Sequence, residues 1–325
     1  MKKYELSLLL AGATGFAAIL TAATVHADTF GGGANAFTID FVTIGNAGNP
    51  DDAGAGGGPG YYTPYGGVPY EFRMGVTEVS ENWITNATNL GLADVAAGAW
   101  TGNQPAANLT WFEAAAFVNF LNVSTGHQAA YQLTAANTSL TLWSSAQAWQ
   151  AGGENLYRHK DAYYFLPSED EWYKAAYHKN DGVTENYWDY ATGSNSRPTA
   201  VRSGTAAGTA VYNSSATVPA PADINNSGGL SAYGTRGQDG NVLEWEESAF
   251  DGINSTMGEI RVLRGGHVLS DALPLLCAYR TSLPPNEGGS AVGMRVASVP
   301  EPTSTVLILS ASWLALARRR RRAAL

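Results

Sequence analysis

Phe165-Leu166-Pro167-Ser168-Glu169-Asp170-Glu171-Trp172 is the stretch from which the architecture is read. Ser168 can accept a hydrogen bond from the amide three residues on, while Glu171 reaches back, so the octet starts a helix just after Pro167. Trp172, Ala175 and Ala176 then form the buried stripe, with His178 near the C-terminal end. Upstream, Thr110-Trp111-Phe112-Glu113 repeats the device, and Trp111, Ala114, Val118 and Leu121 behind it share one helical face. Before these helices, Ala36 to Ile44 alternates Phe37, Ile39 and Phe41 with polar residues, the pattern of a half-buried strand, and a second strand is expected from about Tyr70 to Val79. Gly45 to Gly67, dense in glycine with Pro50, Pro59 and Pro64, reads as a long loop; it lacks the Gly-Lys-Ser/Thr ending and following helix of a phosphate-binding loop. From Tyr187 to Ser298 the chain is Gly, Ser, Asn and aromatic residues with short strand-like pieces. Two helices in a loop-rich chain with short strands predict an α+β fold, and no repeat of solenoid or propeller length is present.

The ends have a different design. Residues Met1 to Ala27 carry a basic start (Lys2, Lys3), an apolar stretch from Leu6 to Leu20 and small or slim residues in Val25-His26-Ala27. This is the layout of a secretion signal cleaved after Ala27 by signal peptidase, residues 1–27 being removed. At the other end, Val299-Pro300-Glu301-Pro302 precedes an apolar run from Val306 to Ala317 and five arginines, Arg318 to Arg322. The run is shorter than the ~20 residues of a comfortable membrane span, and the arginines would hold that end on the cytoplasmic side. Pro300-Glu301-Pro302, a short apolar helix and a basic cluster together resemble the PEP-CTERM sorting signal. The resemblance implies recognition by an exosortase, transient anchoring in the inner membrane by the apolar helix, and cleavage near Pro300. It also implies delivery to the outer surface or extracellular matrix of a Gram-negative-type bacterium. Residues 28–298 are left as one domain, with 299–325 as the sorting tail.

Composition narrows the partners. The whole chain has 19 Lys+Arg and 28 Asp+Glu; without Lys2, Lys3, Glu5, Glu301 and the five tail arginines, 12 basic residues face 26 acidic ones, a net charge of about −14. Such a surface repels nucleic acid and anionic lipid and tolerates divalent cations. The one cysteine, Cys277, can form no internal disulfide and no thiolate metal pair, and the four histidines outside the signal (His127, His159, His178, His267) show no metal-ligand spacing, which argues against a zinc hydrolase.

Taken in order, Tyr70 to Ser80, Trp111 to Leu121, Phe165 to Trp172, Gly240-Asn241-Val242-Leu243-Glu244-Trp245, Val262-Leu263-Arg264-Gly265-Gly266 and Gly293-Met294-Arg295-Val296-Ala297 resemble the motif series of the sulfatase-modifying factor, or formylglycine-generating enzyme, superfamily. The series spans about Phe37 to Ala297 and implies that family's variant of the C-type lectin fold. Arg264 and Arg295 are expected to brace the core through buried carboxylates or carbonyls. The family's oxidation of a protein cysteine to formylglycine uses two cysteines that bind copper, a soft pairing. Cys277-Ala278-Tyr279-Arg280 matches the family's segment around a structural cysteine, so both catalytic cysteine positions are empty here. That argues against copper and against oxidase activity.

The remaining candidates for the cleft are His267, Cys277 and Arg280. His267 stands where the family has serine and is the candidate general base or ligand contact, with Ser270 and Asp271 close in the chain; a hydrogen-bonded loop histidine is the plainer reading. Cys277, beside Leu275 and Leu276, reads as an inert buried thiol. The cofactor implied by the resemblance is calcium, held by the carbonyls of Gly237, Gly240 and Val242 and the carboxylate of Glu244, with Gly237 replacing the family's side-chain amide. The reading is a non-catalytic binding or structural module whose ligand is a polysaccharide or matrix protein; the alternative is a formylglycine-generating oxidase for sulfatase maturation.

Overall fold

The computed structural model describes residues 25–54, 64–95, 98–213 and 220–300. The signal segment up to residue 24, and the sorting tail from Glu301 onward, lie outside the described residues. Strand β1, Val25–Phe30, pairs antiparallel with β2, Phe37–Ile44, which pairs with β3, Phe72–Gly75. The sheet is completed by Ala297–Ser298 against β3 and then Tyr164–Phe165, all antiparallel. A second sheet orders Thr281–Leu283, Arg261–Arg264, Leu243–Ala249 and Val292–Met294, the last pair parallel. The fold is therefore α+β with many short strands, and β2 starts one residue after the expected Ala36.

Alternation in β2 places Phe37, Ile39 and Phe41 inward, where they meet Trp111, Phe117 and Leu121 of helix α2, Trp111–Ser124. Each such side chain buried from water contributes ~1.5–3 kcal/mol. Both capping boxes form: Thr110 at the start of α2, and Ser168 at the start of α3, Glu169–Tyr177. A third helix, α1 (Glu81–Asn89), corrects the expectation of two and, with Phe72–Gly75 as the strand, shortens the expected Tyr70–Val79 strand. Its Ser80 cap accepts from the amide of Trp83, but tryptophan cannot return the bond as a glutamate would. Apart from Glu81, its buried residues are Ile84 and Ala87.

One guanidinium ties the two ends of the domain together. Arg73, 1% exposed, donates from Nε to Ser298 Oγ (2.8 Å) and to the Val299 carbonyl (3.2 Å), and from Nη1 and Nη2 to the two oxygens of Asp28 (3.1 and 2.7 Å). Val25, His26 and Ala27 are exposed and only Phe30 of β1 is buried, so removing residues up to Ala27 leaves the core contact of that strand intact.

Candidate functional site

The strand Leu243–Ala249 runs through the middle of the second sheet and distributes acids to both of its faces. On the face toward α3, Glu244 accepts from Trp172 Nε1 (2.7 Å), and Ser248 Oγ accepts from the Glu169 amide (2.9 Å). On the other face Glu247 accepts from Tyr131 (2.8 Å) and Arg158, and Trp245 Nε1 donates to the Leu109 carbonyl (2.9 Å).

Three buried arginines and the half-buried Arg280 organise these acids and those at the start of α3. Arg158 bridges Glu171 and Glu247 at 2.8 and 2.7 Å, so the capping glutamate of α3 is also half of an ion-pair triad. Arg264 and Arg280 both grip Glu169, at 2.5 and 2.7 Å, and Arg264 also donates to the carbonyls of Cys277 and Tyr279. Arg295 makes a two-pronged pair with Glu244 (2.6 Å on each oxygen) and donates to the carbonyls of Gly75 and Arg236. Arg264 and Arg295 thus brace the core through carboxylates and carbonyls.

The three cleft candidates are each engaged separately. Arg280 is bound to Glu169 and stacks on Phe250, 4.1 Å from the ring centroid. His267 takes a hydrogen bond at Nδ1 from the Leu269 amide (3.2 Å), and burial pushes its pKa down, leaving it neutral. Ser270 Oγ accepts from the His267 backbone amide (2.9 Å) rather than its ring, and Asp271 accepts from the Leu273 amide, so no Ser-His-Asp relay forms. Cys277 is 3% exposed. Burial pushes its thiol up to about 11, with the Tyr173 hydroxyl opposing. Copper does not fit: the chain has one thiol, it is buried, and it stays protonated at neutral pH.

Of the residues expected to hold calcium, Glu244 is already engaged by other side chains. Gly237 and Gly240 take the left-handed conformations (φ 82° and 93°) that the loop needs, but both oxygens of Glu244 are already held by Arg295 and Trp172. Open carboxylate oxygens near the loop are on Glu78, which the sequence did not single out, and on Asp239 within the loop. Glu78 Oε2 is fully buried without a partner, while Oε1 accepts from Asn241 (2.8 Å). Burial, then the charge of Glu244, pushes Glu78 up to about 7 against the pull of Arg295. A Cβ on Gly237 would lie 2.4 Å from this carboxylate. Of Glu78 and Glu244, Glu78 is the one with a carboxylate oxygen left for a hard cation, with the Asn241 amide and the charge of Arg295 beside it. Among the described residues no cluster of three or more His, Cys, Asp or Glu is arranged to hold a metal, so carbonyls would have to complete any such set.

Two packed sheets, a capped α3 on the acidic strand and arginine braces define a sulfatase-modifying-factor type of fold. The chain belongs to the sulfatase-modifying factor enzyme 1-like domain family, whose model matches residues 72–299. Among solved structures it is similar to Treponema denticola variable protein 1 (20% identity, TM-score 0.56, covering 84% of this chain and 99% of that one). It is also similar to CarF (20%, 0.55, 81% and 99%) and to PvdO from Pseudomonas aeruginosa (15%, 0.53, 84% and 98%). At these identities the likeness shows the fold alone. No curated protein matches the chain.

Proposed function

We propose that the chain is an exported surface or matrix protein whose sulfatase-modifying-factor-like domain binds rather than oxidises. The observation that carries this reading is the state of Cys277: the sole thiol, buried, protonated, and apart from any second sulfur ligand. Without a thiolate pair there is no centre to activate oxygen, and the scaffold is left with its loops as its working surface. The signal layout before Asp28 and the Pro-Glu-Pro, apolar and arginine series after Val299 support export, exosortase processing and transient inner-membrane anchoring. The acidic mature chain suits calcium and a polysaccharide or matrix-protein partner better than nucleic acid. The test is to incubate the purified chain, loaded with copper under oxygen, with a Cys-x-Pro-x-Arg peptide. Mass spectrometry is expected to show unchanged cysteine beside a working oxidase control. Conversion to the aldehyde would establish the oxidase alternative and overturn the binding reading.

A further inference from the structure

A cavity of about 190 Å³ opens where the start of α3 meets the hairpin joining Ala148–Trp149 to Asn155–His159. Neither His267 nor the Gly237–Glu244 loop lines it. Tyr70 and Trp149, both half-buried, face into it as an edge-to-face pair with ring centroids 5.3 Å apart. Beside them stands Asp170, on the first turn of α3. Its Oδ1 accepts from the Gly66 amide (3.0 Å), and its Oδ2 has no partner among the described residues.

The two glutamates flanking Asp170 on α3 are paired with arginines, and Asp170 is not. Glu169 is neutralised by Arg264 and Arg280, and Glu171 by Arg158. Arg158 is the cation in the cavity wall, and it spends its donors on Glu171 and Glu247. Asp51, Glu169 and Glu171, which act on Asp170, carry charge of its own sign. A half-buried carboxylate with an open oxygen facing a cavity gains from a cationic donor, and its neighbours' charge repels anions. Aromatic rings alongside favour the same cation and also the C–H face of a sugar ring. The volume is below the ~300–1,000 Å³ of drug-sized sites and suits one ring.

We infer that this cleft binds an amino sugar, its ammonium on Asp170 and its ring against Trp149 and Tyr70. The inference rests on the binding-module reading and names the ligand class and place. The experiment is calorimetric titration of the full chain with a β-linked glucosamine tetramer, its N-acetylated counterpart and a lysine tetrapeptide. The glucosamine tetramer is expected to bind, and the N-acetylated one to bind roughly tenfold or more weakly, because acetylation removes the charge. Asp170→Asn keeps an oxygen for the Gly66 amide, and thermal unfolding will show that it folds; it is expected to weaken the glucosamine tetramer by at least roughly tenfold. Trp149→Phe should weaken it less.

Equal binding of the two tetramers, or an affinity untouched by Asp170→Asn, would overturn the inference. So would a lysine peptide that binds as tightly as the sugar. Glycan binding that survives Asp170→Asn would remove this cleft and leave the binding module standing. An aldehyde in the peptide assay would remove the module itself.

Discussion

Replacing Arg158 by Met isolates the contribution of the triad that joins α3 to the acidic strand. Arg158 is 1% exposed, and Glu171 and Glu247 are fully buried. Methionine keeps the packing of the stem near Phe165, whose ring centroid lies 3.8 Å from the guanidinium. It leaves two carboxylates out of water, with the hydroxyls of Tyr70 and Tyr131, the side chain of Asn155 and the Ser168 amide as their donors. Breaking a buried ion pair in this one-sided way costs ~3–5 kcal/mol, a large share of the ~5–15 kcal/mol by which a domain is stable. At roughly 2–4 °C per kcal/mol for a chain of this size, the melting temperature should fall by ~6–20 °C. Thermal unfolding at pH 7.5 reads the shift, and urea unfolding followed by tryptophan fluorescence reads the free-energy cost.

The pH dependence has a definite sign. Burial pushes Glu171 up, but the charge and hydrogen bonds of Arg158 outweigh this and hold it below its ordinary value. The stabilisation is therefore fully present above the unfolded carboxylate value of ~4.3 and is lost as pH falls through the lower folded value. The deficit of Arg158→Met should accordingly shrink in acid. Adding Glu171→Gln and Glu247→Gln should restore most of the loss, because amides need no counter-charge. A single variant within ~1 kcal/mol of the parent, or a triple variant no more stable than the single one, would refute the reasoning.

Burial, the largest effect on Asp170, pushes it up to about 7 from its ordinary value. The folded state then holds its proton longer than the unfolded state, so stability should fall as pH rises from ~4 to 7. Asp170→Asn should flatten that dependence, read from urea midpoints across pH. Cys277 should resist Ellman's reagent in the native chain and react only as the protein unfolds; rapid labelling would show the thiol is accessible after all. Gly265→Ala should cost ~1–3 kcal/mol, because the glycine sits at φ 94° and a Cβ would lie 3.1 Å from the Gln238 carbonyl; thermal unfolding checks it.

The helices that begin with capping boxes were legible because the signal is local: Ser168 and Glu171 are three residues apart. α1 was not, since asparagine and threonine fill it and Trp83 stands where the reciprocating acid would be. Strands of two to four residues carry too few positions to show a period, and Ala297–Ser298 finds its neighbours at Phe72–Gly75 and Tyr164–Phe165, far away in sequence. The same distance hid partners in the site. Arg295 could be read as a brace, but Glu244 as its partner is 51 residues away, and nothing in Tyr157-Arg158-His159 marks Arg158 as the centre of a triad. Glu78 was missed for a different reason. It lies in a strand-like motif, and only the missing side chain at Gly237 reveals that its carboxylate fills the gap.

The clamp at Arg73 also has a mechanical meaning. Pull applied through Val299 would enter the molecule at Ala297–Ser298, which is bonded along both edges to neighbouring strands. Load applied along such a strand strains its bonds in shear, together, instead of unzipping them one at a time. Because the guanidinium that holds Ser298 and Val299 also holds Asp28, tension on one end of the domain is carried by the other.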